Sequence, residues 1–208
     1  MTRARELGIN VRAGRPGPLD AITDVAGVRV GATTLIAGDD VRTGVTVIVP
    51  ADADVAEEQL FAGCHTPQRQ RRADRARMGA RLGPADDPDR AHQHPQCRRL
   101  AQRTSLGVAR TGGAGEHSSG DIMIAFSTAR QGLPPSDVAG AGEPVTVGVT
   151  MFVDSHTDAL YHAAVEATEA AIVNALLAAE TMTGRGGVSA YGLEPELLLE
   201  AMRRFNFA

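Results

Sequence analysis

The chain has 208 residues, a formal net charge of −4, and aromatic side chains at only 3% of its positions. That length suits one domain, its core built from Val, Ile, Leu and Ala because tryptophan is absent. The charge offers no electrostatic argument for binding nucleic acid, no apolar run is long enough to span a bilayer, and the N-terminal MTRARELGIN lacks an apolar signal stretch. The expectation is a cytoplasmic protein with no nucleic-acid or membrane partner. All 21 basic residues are arginine, the mark of a GC-rich coding sequence, and two cysteines, Cys64 and Cys97, make no disulfide framework.

In chain order, Gly14 to Pro18 is a breaker cluster, and Ile22 to Val25 leads through a turn to Gly27. The β-formers from Val28 to Ile36 predict a strand, and Gly44 to Pro50 (GVTVIVP) a second. Gly38, Asp39 and Asp40 suit the loop of a hairpin between them, with the acidic pair solvated. From Pro67 to Gln96 apolar residues nearly vanish and no period survives, which predicts disorder or a weakly held loop. The arginines from Arg69 to Arg81 could attract an anion, but Asp86, Asp87 and Asp89 follow, and a solvated segment is the simpler reading. Cys64, His65, His92, His94 and Cys97 are ligand types zinc accepts; their spacing matches no compact zinc signature, so no metal is expected.

Helical periodicity returns over Arg98 to Ala109, with Leu100, Ala101, Leu106 and Val108 as its apolar positions. Next comes RTGGAGEHSSGDIMIAFST, Arg110 to Thr128. Glycines at 112, 113, 115 and 120 free the backbone, Glu116, His117, Ser118, Ser119 and Asp121 crowd in, and Ile122 to Phe126 reads as a core strand. A polar glycine loop feeding a strand holds Ser119 and Asp121 on a rigid edge, where a nucleophile, a proton shuttle or a ligand clamp could sit; a plain Ser/Gly turn is the alternative. A Pro/Gly surface loop follows, then a strand over Val145 to Val153 and a long helix over Thr157 to Met182, capped by Ser155 or Thr157 and stopped near Gly184. Leu160, Ala164, Ala171, Ile172, Ala175, Leu176 and Ala179 give that helix a broad face for a sheet, with Asn174 embedded as a satisfied amide and His156 and His162 facing solvent. Pro195 opens a last helix to Phe205, with Leu197, Leu198 and Met202 turned inward.

These residues resemble the DmpA-type aminopeptidases, a family that includes L-aminopeptidase/D-esterases and β-peptidyl aminopeptidases. The resemblance is carried by RARELGI at Arg3 to Ile9, GPLDAITDVAGVRVG at Gly17 to Gly31 and RTGVTV at Arg42 to Val47. It continues from RRLAQRTSLGVARTGG through HSSGDIMIAFST to AAETMTGR at Arg185, some two thirds of the chain in all. It implies an α/β fold, a four-layer αββα sandwich of the N-terminal-nucleophile type. It also implies hydrolysis of small peptides, amino-acid amides or esters bearing a free amino terminus, without cofactor, by a homo-oligomer. In such enzymes the precursor cuts itself at a Gly-Ser bond, and the freed serine attacks with its own α-amine as base, while backbone or amide donors hold the oxyanion. The family's serine and acidic residue two positions apart map onto Ser119 and Asp121. By resemblance Ser119 bonds to the nucleophile region and Asp121 orients or takes part in proton transfer; aspartate stands where glutamate is frequent.

The chain departs from the family in its middle. No Gly-Ser dipeptide occurs anywhere, and the family's strand of the type Gly-Ser-Ile-Val-Val, with its central tyrosine, glycine-rich loop and oxyanion asparagine, has no counterpart. Ser105, Ser118, Ser119 and Ser127 cannot replace a serine that must become a chain terminus. Read one base later in GC-rich codons, Pro67 to Arg81 can spell PNGNGELTGLEWARDS and Leu82 to Gln96 SGLLTTPIALTNTHS, both similar to the family's segment C-terminal to FAGCHT. The expected organisation is therefore residues 1–66 and 98–208 as two parts of one hydrolase domain, joined by an out-of-frame or disordered 67–97. The sandwich is expected to be incomplete and the activity impaired. A catalytically inactive scaffold that binds a ligand or partner is the alternative.

Overall fold

The computed structural model describes residues 2–11, 13–51, 59–66, 94–115, 120–129, 133 and 146–205. The expectations for the arginine run, for Asp86, Asp87 and Asp89, for His92, and for Glu116, His117, Ser118 and Ser119 lie outside the described residues, as does most of the 67–97 segment. Among the described residues the chain is α/β. Strands β1 (Arg29–Ala37), β2 (Val41–Val49) and β3 (Ala62–His65) precede helix α1 (Pro95–Arg110) and strand β4 (Met123–Phe126). Helix α2 (Asp158–Ala178), the short strands β5 (Met182–Thr183) and β6 (Ser189–Ala190), and helix α3 (Pro195–Arg204) complete the order.

The expected hairpin forms as an antiparallel pair from Arg29 opposite Val49 to Ala37 opposite Val41. Gly38, at φ 53, makes the reversal beside Asp39 and Asp40. Strand β2 starts three residues earlier than the sequence suggests, and Gly44 sits inside it because a Cβ there would lie 2.8 Å from the carbonyl oxygen of Thr33. Both faces of this ribbon are open: Val30, Leu35, Ile36, Val45, Val47 and Ile48 are all exposed.

Strands β3 and β4 form a second antiparallel pair, Ala62 opposite Phe126 through His65 opposite Met123, and α1 packs on both. The helix starts at Pro95, earlier than expected, because proline's fixed φ suits the first helical position and its missing N–H is no loss there. Its buried side is Cys97, Ala101 and Gly107, while Leu106, one of the apolar positions of the sequence pattern, is exposed. Small residues win that side because α1 approaches α2 closely. A Cβ on Gly107 would stand 2.6 Å from the carbonyl oxygen of Val165 and from Cβ of Thr168.

Helix α2 ends at Ala178, short of the expected Met182, since Met182 and Thr183 pair with Ser189 and Ala190 around Gly186 and Gly187, both at positive φ. Thr157 occupies the cap position, but its hydroxyl donates back to the carbonyl of Asp154 at 2.7 Å, and Ser155 makes no cap. Asn174 is satisfied as expected: its Oδ1 accepts the Ala4 N–H at 2.9 Å. Around that contact Ala4, Ile9 and Leu177 are buried, with Val173, Leu198, Leu199 and Met202 packed on them, whereas Leu197 is exposed. Helical spacing explains Leu197: it lies one position off the face that Leu198 and Met202 share.

Two further expectations meet a different outcome. Described residues 146–153 form no strand, and Val147, Val149, Met151, Phe152 and Val153 are exposed, because no neighbouring strand among the described residues offers a ladder. Among the described residues the alanine-rich side of α2 is not covered by a sheet along its length, with Ile124 of β4 reaching the groove beside it. Ala163, Ala167, Ala171 and Ala175 instead line an open groove of about 860 Å³ against the segment carrying Gly14 to Asp24. Among the described residues the three sheets have two strands each.

Candidate active site

The glycine loop leaves α1 in the conformation its sequence demands. Thr111 closes the helix with hydrogen bonds to its last carbonyls, and Gly112 and Gly115 stand at φ 98 and 72, values that side chains with a Cβ rarely adopt. Gly113 is pressed on the helix: a Cβ there would lie 2.7 Å from Val108 Cγ1. The chain then reaches Asp121, half-buried two residues ahead of β4. Pairing with β3 fixes that approach, since Met123 stands opposite His65. Asp121 thus lies just ahead of a strand pair backed by a helix; Ser119 lies outside the described residues.

Behind β4 the strand pair, α1 and the start of α2 border an open cavity of about 510 Å³. It is lined mainly by apolar side chains, among them Val28, Phe61, Leu100, Phe126, Met151 and Leu160. Its volume and lining are those of a small-molecule pocket. His94 bounds it with its ring 4.4 Å from the Phe61 ring, and its backbone N–H donates to the Ala62 carbonyl at 3.1 Å. His94 Nδ1 and, on α1, Ser105 Oγ are buried without a hydrogen-bond partner among the described residues.

The candidate metal ligands come close in part. His94 and Cys97 open α1 against β3, which carries Cys64 and His65, and Cys97 Sγ lies 3.8 Å from the Phe61 carbonyl oxygen. Among the described residues no group of three or more His, Cys, Asp or Glu side chains could hold an ion. Burial pushes both thiols up from their ordinary pKa, so neither is poised as a thiolate. His156 and His162 face solvent as the sequence suggested.

Sequence reasoning missed a clamp that fixes one wall of the cavity. The Arg99 guanidinium grips Asp154 with Nη2–Oδ1 at 2.8 Å and Nη1–Oδ2 at 3.0 Å, and Gln96 Nε2 donates to the Phe152 carbonyl at 2.6 Å. The Arg99 and Gln96 hydrogen bonds hold the Asp154 carboxyl below the usual carboxylate range. No local signal marks residues 55 positions apart as partners. A second cluster, Arg3 and Arg5 around the Asp20 carboxylate at 3.9 Å each, anchors the N-terminal turn; Asp20 itself has φ 51.

Comparison with known proteins gives one consistent answer. The family model described as peptidase family S58 matches residues 20–68 and 88–190. The β-peptidyl aminopeptidase BapA of Sphingosinicella microcystinivorans is 34% identical over 163 residues, covering 75% of this chain and 39% of that protein. The BapA of Sphingosinicella xenopeptidilytica is 37% identical over 109 residues, covering 52% and 26%. The chain therefore spans about two fifths of the length of the first of these relatives. Among solved structures, a Burkholderia sp. β-aminopeptidase superposes with a TM-score of 0.78 at 27% identity, over 98% of this chain and 99% of that one. The L-aminopeptidase D-Ala-esterase/amidase of Ochrobactrum anthropi, described as a variant of the Ntn hydrolase fold, gives 0.75 at 22% over 99% of both chains. The PH0078 protein of Pyrococcus horikoshii OT3 gives 0.81 at 22%, again over 99% of both. The fold is the one these proteins share.

Proposed function

Since this chain belongs to peptidase family S58, we propose that it is a DmpA-type serine aminopeptidase by descent, directed at small peptides, amino-acid amides or esters with a free amino terminus, and lacking its own attacking group. The observation that carries this reading is the match itself. It falls in two stretches separated by residues 69–87, and the chain covers 39% of a relative's length. The interruption falls within the segment whose composition breaks period and whose neighbouring frame spells family-like sequence, which supports an out-of-frame passage over 69–87; the match resumes at residue 88, ahead of the return expected by Cys97. The exposed faces of β1 and β2, the exposed apolar side chains at Val147, Val149, Met151, Phe152 and Val153 and the open groove along α2 support a four-layer sandwich left incomplete.

Within that reading Ser119 and Asp121 keep the places of the family's serine and acid, Asp121 on the rigid strand edge that such chemistry needs. The attacking serine would have to be a chain terminus whose amine takes the hydroxyl proton, and no Gly-Ser bond is present to release one. The reading includes no cofactor or metal, a cytoplasmic location and association into homo-oligomers.

The test combines intact mass with turnover of an aminoacyl p-nitroanilide. The expected result is one uncut polypeptide of 21.7 kDa and no hydrolysis above background. Two fragments, with hydrolysis abolished by Ser119→Ala, would show a competent enzyme and overturn the missing nucleophile. Hydrolysis that survives Ser119→Ala would overturn the assignment of Ser119. Sequencing the gene checks the frame, since codons incompatible with the neighbouring-frame reading remove that explanation.

A further inference from the structure

The β1–β2 ribbon is the part of the fold least provided for. Two strands of nine residues pair only with each other among the described residues, and every residue from Thr43 to Ile48 on β2 is exposed. An isolated hairpin is marginal in water, and an apolar strand with a free edge is a template for another strand. From the register, Val41, Val45, Val47 and Val49 lie on one face with Leu35, while Thr46 and Ile48 lie on the other with Val30 and Ile36. Neither face is polar.

From this we infer that the outer edge of β2 pairs antiparallel with the same edge of a second copy of the chain, about a two-fold axis through Val47. The reason for choosing a second copy is the strand's own symmetry. Centred on Val47, the segment reads Val45-Thr46-Val47-Ile48-Val49, so that self-pairing sets Val47 opposite Val47, Val45 opposite Val49 and Thr46 opposite Ile48. Each pairing joins β-branched side chains, the kind that stabilise cross-strand neighbours. No charge lies between Thr43 and Val49, so no like charges meet. The ladder also has a natural stop: Pro50 has no N–H to donate and would fall opposite Gly44. Strand β1 lacks this property, because centring it on Thr33 sets Arg29 opposite Ala37 and Gly31 opposite Leu35. The result is a four-stranded antiparallel sheet with six valines in one strip, Val45, Val47 and Val49 of each copy. A strand edge of about 20 Å buries little area, so the association is weak and concentration-dependent.

Sedimentation equilibrium of the full chain over a range of concentrations tests this. The wild type is expected to pass from monomer to dimer. Val47→Lys and Val47→Glu each weaken dimerisation about tenfold or more by setting like charges opposite each other. Their equimolar mixture recovers it. Far-UV circular dichroism of each variant, compared with the wild type, checks the fold. Independently, Val47→Cys is expected to crosslink under mild oxidation, because opposed residues lie about 4.5–5.5 Å apart between Cα atoms, within disulfide reach. Thr43→Cys, displaced along the strand from its copy, does not crosslink. The inference names an interface for the homo-oligomer proposed above and rests on it: a wild type that stays monomeric would overturn both, whereas a Val47→Lys protein that associates like the wild type, or equal crosslinking of both cysteine variants, would overturn the β2 interface alone.

Discussion

At the scale of single residues, the most stringent position is Gly63. A Cβ there would collide with the backbone nitrogen of Arg98 at the start of α1, and backbone cannot move aside as a flexible side chain can. Gly63→Ala is expected to destabilise the chain by about 1–3 kcal/mol, read from the urea midpoint. Asp154 gives a pH-dependent prediction. Its carboxyl is depressed in the folded state by Arg99 and Gln96, so its contribution is present above the unfolded carboxylate pKa and is lost as pH falls through the lower folded value. Asp154→Asn should lower the melting temperature near pH 7, and the gap from the wild type should close as the pH is taken below the carboxylate range. A gap that persists in acid would show that the pair acts through shape rather than charge. Because the carboxylate is largely exposed, the effect is small.

At the scale of elements, the contrast is between α1 and the ribbon. Helix α1 lies against β3, β4 and α2 together, whereas β1 and β2 have only each other as extensive neighbours among the described residues. Hydrogen exchange at concentrations low enough to keep the chain monomeric should therefore find the β1 and β2 amides opening with lower free energy than those of α1. Equal protection would mean that the ribbon is covered. The sequence read this hairpin correctly because alternation, glycine and an acidic turn are local signals. It misplaced the end of α2 because Ala-Leu-Leu-Ala-Ala-Glu favours helix in isolation, and only the pairing of Met182 and Thr183 with Ser189 and Ala190 draws the chain out of it. It expected a strand over Val145 to Val153 for the same kind of reason. Strand propensity is present there, but a ladder needs a neighbour.

At the scale of the whole molecule, large apolar side chains lie open in quantity, from Leu35 and Ile36 on the ribbon to Phe152 and Val153 ahead of α2. A chain with such faces should bind 8-anilinonaphthalene-1-sulfonate under native conditions and show enhanced fluorescence. Fluorescence at the level of a well-packed protein of this size would contradict uncovered faces. Among the described residues no helix is long and apolar enough to cross a membrane.

By itself the sequence determined the class of elements, the hairpin and its turn, the satisfied amide of Asn174 and the resemblance that the family match bore out. These depend on residues close in the chain or on strings long enough to be specific. Only the tertiary structure decided that Arg99 clamps Asp154, that Gly63 and Gly107 are sites of close approach, and where α2 stops. Each of these is set by which distant segments meet, and contact between residues far apart along the chain leaves no period or composition for a reader of sequence to find.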